Sequence, residues 1–295
     1  MPAIALLVLA TLFWAGNYVV GERAVRVIDP LSLTWLRWLL AAIPLVLIAQ
    51  LVERPDWRVV LRRWRILLLL GIVGAAGYPF LLYSALEHTS AVNASVINAS
   101  NPAAIVVAAA LLGQARTGWR AWAGVALGLL GVLLVLTQGD LSRLLTLSFN
   151  VGDLFMLAAV LAWTAYTLLG RTLGLPVLTA TAIQVVLVVI ALAPFALATG
   201  IELPQDGPTW WALLFIAALP SVGSYVCWNL AVARVSPSTA ATSMNLVTVF
   251  VIAIAALLGQ PPTLIQLIGG ALVIGGVLLT TPVRRRRVAP AQVEG

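Results

Sequence analysis

The amino-acid sequence predicts an all-α integral membrane protein with ten transmembrane helices, arranged as two inverted five-helix repeats. Three observations indicate this fold class: the scarcity of charge, a series of long apolar segments, and a duplication within the chain. Of the 295 residues, 62% are hydrophobic and only 9% are charged, whereas a soluble domain carries about 25% charged residues. Such a chain cannot cover a surface that faces water, so we expect it to lie in a lipid bilayer.

The apolar segments define the predicted spans. A helix needs roughly 20 apolar residues to cross a bilayer, and charged residues, proline or glycine separate ten segments of about that length. The first segment lacks the basic residues that begin a signal peptide, so we count it as a span. The predicted spans are 3–21, 31–51, 66–86, 91–112, 119–138, 152–170, 177–199, 209–232, 237–258 and 264–281.

Basic residues are distributed unevenly between the two sides of the predicted bundle. All 17 are arginine. Most fall on one side, in the loops after spans two, four, six and eight and in the tail, and only Arg23, Arg26 and Arg143 fall in loops on the other side. Because basic loops stay cytoplasmic, both termini are predicted to be cytoplasmic. The arginines of the tail are expected to bind anionic lipid head groups, and we predict no nucleic-acid partner.

A duplication relates the two halves of the chain. Span four ends with Ala-Ala-Ala-Leu-Leu-Gly-Gln at 108–114, and span nine ends with Ile-Ala-Ala-Leu-Leu-Gly-Gln at 254–260, an offset of 146. Spans one and six match at an offset of 149, which pairs Trp14 with Trp163. Because each copy has an odd number of spans, the second copy enters from the opposite side of the membrane. Inverted repeats of this kind are typical of alternating-access transporters.

The duplication also sets the predicted domain organisation. Residues 1–138 form the first repeat, 139–151 a connecting loop, 152–281 the inverted second repeat and 282–295 a basic cytoplasmic tail, all within one structural unit. Spans five and ten carry glycines at close spacing and almost no polar side chains, which favours close helix packing as scaffold or as a dimer face. The oligomeric state stays open.

The five-plus-five duplication and the two Ala-Leu-Leu-Gly-Gln ends resemble the drug/metabolite transporter superfamily and, within it, the EamA-type transporters. The chain looks most similar to the YddG-type aromatic amino acid exporters of bacterial inner membranes. This resemblance implies a multi-pass protein of the cell inner membrane. It also implies that the protein exports aromatic and other hydrophobic amino acids from the cytoplasm.

Polar and aromatic side chains in the middle of spans predict a substrate pathway, because they are costly when they face lipid. Asn98 and Asn101 share a helix face, and Pro102 removes the amide that would bond to the carbonyl of Asn98. Interhelical hydrogen bonds and close packing are the alternative roles for such residues. The predicted lining comprises Tyr78, Asn98, Trp163, Ser224 and Trp228, followed by Asn101, Trp14, Met244, Tyr83, Asn17 and Tyr166. Tryptophans near span ends, among them Trp35, Trp38, Trp57 and Trp210, are assigned to the interfacial belts.

Charge within the spans bears on energy coupling. Arg37 is the one charge placed well inside a span, and we expect it to extend towards the lipid head groups rather than to bind a carboxylate. Glu22, Glu87 and Asp153 all fall at span ends, where they are poorly placed to relay protons through the membrane. The sequence therefore predicts transport without obligatory proton coupling, through a mostly uncharged pathway.

Several function classes conflict with the composition. The chain has one cysteine, one histidine and no lysine, which argues against a zinc site, a P-loop and a Schiff-base lysine. We predict no catalytic residues, cofactor or metal. The expected partners are a small-molecule substrate and the bilayer. The alternatives left open are a transporter of organic cations or nucleotide sugars, an intramembrane enzyme and a pore.

Overall fold

The computed structural model describes residues 1–113, 118–140, 150–170, 173–235, 239–240 and 243–280. Helices are the only regular secondary structure in these ranges, so the all-α prediction is confirmed there. The basic tail at 282–295 and most of the predicted connecting loop lie outside the described residues. The same holds for three arginines that entered the orientation argument, Arg116, Arg143 and Arg171.

The first half of the described chain contains eight α-helices and one π-helical segment. Helix α2 begins after Asp29, whose carboxylate accepts hydrogen bonds from two amides of its first turn, as an N-cap residue does. The elements are α1 (Ala3–Ala24), α2 (Pro30–Val52), α3 (Trp57–Leu61), α4 (Trp64–Leu70), the π segment Gly71–Gly77, α5 (Tyr78–Leu86), α6 (Ala91–Asn98), α7 (Asn101–Leu111) and α8 (Trp119–Thr137).

The second half of the described chain also has a π-helical segment among its helices. Its elements are α9 (Val151–Gly170), α10 (Val177–Thr199), α11 (Gly207–Ala218), the π segment Leu219–Gly223, α12 (Ser224–Val232), α13 (Leu246–Leu257) and α14 (Leu264–Thr280). In the described residues, 8 helices or continuous helical stretches are long and apolar enough to cross a membrane. Helices α13 and α14 are shorter apolar helices that coincide with the predicted spans nine and ten.

Two predicted spans contain a π-helical segment. Span three is built from α4, the segment Gly71–Gly77 and α5, and span eight from α11, Leu219–Gly223 and α12. π-Helical hydrogen bonds reach one residue further along the chain than α-helical ones, so each segment shifts the face that the following residues present. Gly74 lies in the first segment where the ring of Tyr166 packs directly on the backbone, and an added Cβ would collide with that ring.

Span four is interrupted in its middle. Helix α6 ends at Asn98, and α7 begins at Asn101 with Pro102 in its first turn. This break lies where Pro102 predicts it, since proline cannot donate the α-helical hydrogen bond. In the second half, turn residues Met244 and Asn245 precede α13, and Met244 follows Asn98 by 146 residues, the offset of the predicted repeat.

Glycines bring α8 and α14 into direct backbone contact. A Cβ added to Gly131 would lie 2.5 Å from the carbonyl oxygen of Gly269, and one added to Gly269 would lie 2.9 Å from that of Gly131. Within the described chain, α8 and α14 therefore pack closely on each other through the glycines of the predicted spans five and ten.

Helices α2 and α10 are joined at both ends by glutamates. The carboxylate of Glu53, after α2, accepts hydrogen bonds from the amides of Leu178 (3.0 Å) and Thr179 (2.8 Å) at the start of α10. After α10, the carboxylate of Glu202 accepts from the amide of Asp29 at 2.7 Å, before the start of α2. The first pair of contacting residues, Glu53 and Leu178, corresponds to Glu202 and Asp29 at the offset of 149 that also pairs Trp14 with Trp163.

Candidate functional site

A cavity lies between helices from both halves of the chain. Its volume open to the centre of a water molecule is about 40 Å³, room for a few waters. Aromatic rings and amides dominate the lining, with one charged side chain among them. The lining residues are Trp14, Asn17, Tyr18, Arg37, Trp38, Tyr78, Pro79, Leu82, Asn98, Asn101, Trp163, Tyr225, Met244 and Val247.

A chain of polar contacts runs along one side of the cavity. The hydroxyls of Tyr18 and Tyr78 lie 2.8 Å apart, and the Tyr78 hydroxyl donates to Oδ1 of Asn98 at 3.1 Å. Oδ1 of Asn98 also accepts from Nδ2 of Asn101 at 2.7 Å. These two amides lie at the break between α6 and α7. Oδ1 of Asn101 is buried and has no hydrogen-bond partner.

Aromatic rings form the apolar walls. Tyr78 packs on Trp163 with ring centroids 5.2 Å apart, and Trp163 packs on Tyr166 at 5.3 Å. In another cluster, Trp14 lies 5.9 Å from Tyr225 and 5.4 Å from Trp228, again between ring centroids. Rings at these separations attract one another beyond the effect of burial. Trp14, Tyr78, Trp163 and Tyr225 therefore present aromatic surface to the cavity.

Arg37 corrects the expectation that this side chain reaches the head groups. It is only 4% exposed, and its guanidinium is hydrogen-bonded inside the bundle. Nε donates to Oγ of Ser221 at 2.9 Å, and Nη1 donates to the Tyr83 hydroxyl at 2.5 Å and to Oδ1 of Asn17 at 3.4 Å. The guanidinium carbon also lies 4.8 Å from the ring centroid of Trp38, a cation–π contact. Acceptors from three other spans and an aromatic ring hold the charge inside.

The electrostatics of the cavity follow from this arginine. Among the described residues, no carboxylate forms an ion pair with Arg37. The ion pair found in these residues joins Arg26 to Glu22 at 3.6 Å, near the end of α1. The cavity therefore holds a cation that was expected at the lipid head groups. No three potential metal ligands among His, Cys, Asp and Glu cluster within the described ranges.

The structure brings most of the predicted pathway residues to the cavity or to its edge. The Tyr83 hydroxyl donates a hydrogen bond to Oδ1 of Asn17 at 2.8 Å. Tyr166 and Trp228 do not line the cavity themselves but pack on two rings that do, Trp163 and Trp14. Ser224 is buried and its hydroxyl donates to the carbonyl of Ala10 at 3.0 Å, a contact between helices. The predicted residues that line the cavity directly are Trp14, Asn17, Tyr78, Asn98, Asn101, Trp163 and Met244.

Seven lining residues are absent from the predicted lining: Tyr18, Arg37, Trp38, Pro79, Leu82, Tyr225 and Val247. Trp38 was assigned to an interfacial belt but is 1% exposed, and its Nε1 donates to the carbonyl of Ala75. The signal for Arg37 was present, since a charge inside a span is costly unless it has partners. Tyr225 had no such signal, because it follows the π segment Leu219–Gly223, past which the spacing rule for an α-helical face no longer holds.

Comparisons with known proteins agree with this architecture. The EamA-like transporter family matches residues 1–137 and 150–281. An uncharacterized transporter of Archaeoglobus fulgidus is 32% identical over 94% of this chain and 96% of its own. The uncharacterized transporter YyaM of Bacillus subtilis is 29% identical over 93% and 92%. A probable terminal-alkyne amino-acid exporter of Streptantibioticus cattleyicolor is 30% identical over 72% of this chain and 71% of its own.

The fold also resembles a solved structure. The crystal structure of another protein superposes with a TM-score of 0.69, and the match covers 95% of this chain and 96% of the other. The two sequences are 21% identical, so this likeness concerns the fold alone.

Proposed function

We propose that this chain, which belongs to the EamA-like transporter family, is a secondary transporter of the bacterial inner membrane. It exports aromatic and other hydrophobic amino acids, or similar small amphipathic metabolites. The observation that carries this proposal is the cavity between the two halves, with aromatic walls, amides and one buried cation. A few polar groups among apolar walls are typical of sites for small molecules.

Three features support an inverted repeat of ten spans. The glutamate contacts at the two ends of α2 and α10 exchange under an offset of 149. The π segments end at Gly77 and Gly223, which are paired by the offset of 146. The interruption at Asn98 also has its counterpart at Met244. In this arrangement α13 and α14 complete spans nine and ten, within repeats at 1–138 and 152–281.

Alternating access is the mechanism that such an arrangement supports, because one fold in two orientations can open to either side of a central site. In the present conformation the cavity holds only a few waters, less than an aromatic amino acid occupies. Helices must therefore separate to admit substrate. The π segments and the interrupted spans beside the cavity are suited to this, since helix irregularities of this kind mark hinges and functional sites.

The lining supports amino acids over organic cations. Among the described residues the cavity has no acidic side chain for a cation, and it has a buried arginine. The amides of Asn17, Asn98 and Asn101 among the lining residues are the kind of neutral polar group that hydrogen-bonds a substrate ammonium group. One relative carries the name of a probable terminal-alkyne amino-acid exporter, which adds support for this substrate class.

Coupling to protons is not required in this mechanism. The buried carboxylate of Asp153 lies in the first turn of α9, accepts a hydrogen bond from the Thr89 hydroxyl at 2.7 Å and is absent from the cavity lining. Substrate runs down its own gradient. With the arginine-rich loops on the cytoplasmic side, both termini face the cytoplasm.

Counterflow in proteoliposomes tests the proposed function. Vesicles loaded with unlabelled phenylalanine should accumulate labelled phenylalanine, with saturable kinetics, whether or not a pH gradient is imposed. Uptake that disappears when the gradient is collapsed would refute the uncoupled mechanism. Non-saturable uptake would indicate a pore. Competition by quaternary ammonium compounds but by no amino acid would refute the substrate class.

A further inference from the structure

We infer that Arg37 is the binding group for a carboxylate on the transported molecule, so that the site selects substrates that carry this anion together with an apolar group. This inference rests on the proposed transport function and names the residue that sets its selectivity. Its basis is a buried cation in the cavity lining that has neutral partners, and no counter-ion, among the residues that the structure describes.

The first argument is the energetics of the buried charge. A cation removed from water is costly unless it is paired, and the hydrogen bonds that it donates to neutral acceptors compensate only part of that cost. Arg37 has Ser221, Tyr83 and Asn17 as acceptors, all of them uncharged. The guanidinium is therefore held in place but not neutralised, and an entering anion would complete its environment.

The second argument is the geometry of the guanidinium. The three hydrogen bonds to side chains are made by Nε and Nη1, and Nη2 makes none of them. Arg37 is among the residues that line the cavity. A carboxylate is the planar partner that fits the guanidinium fork with two parallel hydrogen bonds. Trp38 and Tyr83 flank the guanidinium, with its carbon 4.8 and 5.6 Å from the two ring centroids, which limits its freedom to turn away.

The third argument is the position of the cation among aromatic rings. The lining places Arg37 in the same cavity as Tyr78 and Trp163, whose rings pack on each other. A ligand with an anionic end and an aromatic end would meet a matching surface for each. An amine of the same shape would place a second positive charge beside the guanidinium, which is unfavourable in a medium of low dielectric constant.

The experiment compares two probes of similar shape and opposite charge, hydrocinnamate and phenethylamine. Each competes against labelled phenylalanine in the counterflow assay, and each is tested for thermal stabilisation of the purified full-length protein in nanodiscs. The proteins are wild type, Arg37→Gln, Arg37→Lys and the control Arg23→Gln, since Arg23 is an exposed arginine near the end of α1. The thermal measurement also establishes that each variant is folded.

In wild type and in the control we expect hydrocinnamate, and not phenethylamine, to compete and to stabilise. Arg37→Gln should weaken hydrocinnamate about 10- to 100-fold, the effect of losing a hydrogen-bonded charge, while phenethylamine is unchanged or improved. Arg37→Lys should give an intermediate value, because a lysine keeps the charge and loses the planar fork. A purely structural role would lower stability without changing the preference of acid over amine.

The outcomes separate this inference from the proposed function. Counterflow that persists with equal competition by both probes, or with an unchanged preference in Arg37→Gln, overturns the role of Arg37 and leaves the transport function standing. If wild type gives no counterflow but hydrocinnamate stabilises it and loses this effect in Arg37→Gln, the anion site stands and the transport function fails. Absence of stabilisation by hydrocinnamate in wild type overturns the anion site.

Discussion

Replacing Gly276 by alanine tests how tightly α8 and α14 are packed. A Cβ at this position would collide with the carbonyl oxygen of Gly124 and lie 2.7 Å from the amide nitrogen of Gly128. Both are backbone atoms that cannot rotate away, so the two helices must move apart. Overpacking of this kind costs about 1–3 kcal/mol.

The neighbouring glycine supplies a matched control. A Cβ at Gly275 would meet its first neighbour, Cδ2 of Leu127, at 3.6 Å, which is ordinary van der Waals contact. Gly275→Ala should therefore be tolerated, and the better helix propensity of alanine adds at most about 1 kcal/mol. Because this gain is common to both substitutions, we expect the two variants to differ in stability by the overpacking cost of about 1–3 kcal/mol.

The assay is thermal unfolding of each variant in nanodiscs, followed by tryptophan fluorescence. Gly276→Ala should melt clearly below wild type, and Gly275→Ala should melt at or above it. If both variants melt together, the close backbone contact does not limit stability, and the scaffold role of α8 and α14 would have to be abandoned.

Three further predictions concern the ends of α2 and α10, the aromatic wall and the start of α11. Glu53→Ala removes the carboxylate that accepts from the amides of Leu178 and Thr179 and should cost about 1–2 kcal/mol; a melting temperature equal to that of wild type would contradict this role. Tyr78→Ala or Trp163→Ala should alter counterflow kinetics while membrane insertion stays intact, because the two rings pack on each other in the cavity wall; unchanged kinetics in both variants would remove them from the proposed pathway. Hydrogen bonds from the side chain and the amide of Thr209 lower the pKa of the exposed Asp206 carboxyl in the folded protein. The ionised carboxylate therefore stabilises the fold above its unfolded pKa of about 3.9. This contribution is lost as the pH falls through the lower pKa of the folded state. The melting curves of wild type and Asp206→Asn should therefore converge below about pH 4, and a constant difference down to lower pH would be inconsistent with this titration.

Much of the candidate site followed from local sequence patterns. Asn98 and Asn101 were predicted from their spacing and from Pro102, and the structure places both amides on the cavity with a break between α6 and α7. These signals are local, because a proline acts on the carbonyl one turn before it. The lining was less predictable in span eight, where the π segment before Ser224 shifts the helix face, so that Tyr225 lines the cavity and Ser224 bonds to Ala10.

Arg37 shows most clearly where sequence reasoning ended. Its position inside an apolar span marked it as unusual, but whether it extends outward or inward depends on acceptors elsewhere in the chain. Those acceptors are Ser221, at a separation of 184 residues, and Asn17 and Tyr83, at separations of 20 and 46. No periodicity within one helix contains that information.

Composition and periodicity alone therefore determined that this protein lies in a membrane, that it is helical and where its spans approximately begin and end. These properties depend on the average polarity and the spacing of neighbouring residues. Only the packing of the helices decided which polar groups meet, where the cavity lies and that a cation stays inside it. Hydrogen bonds and burial between distant residues exist only once helices are placed side by side, and the free energy of a buried charge depends on each of those neighbours.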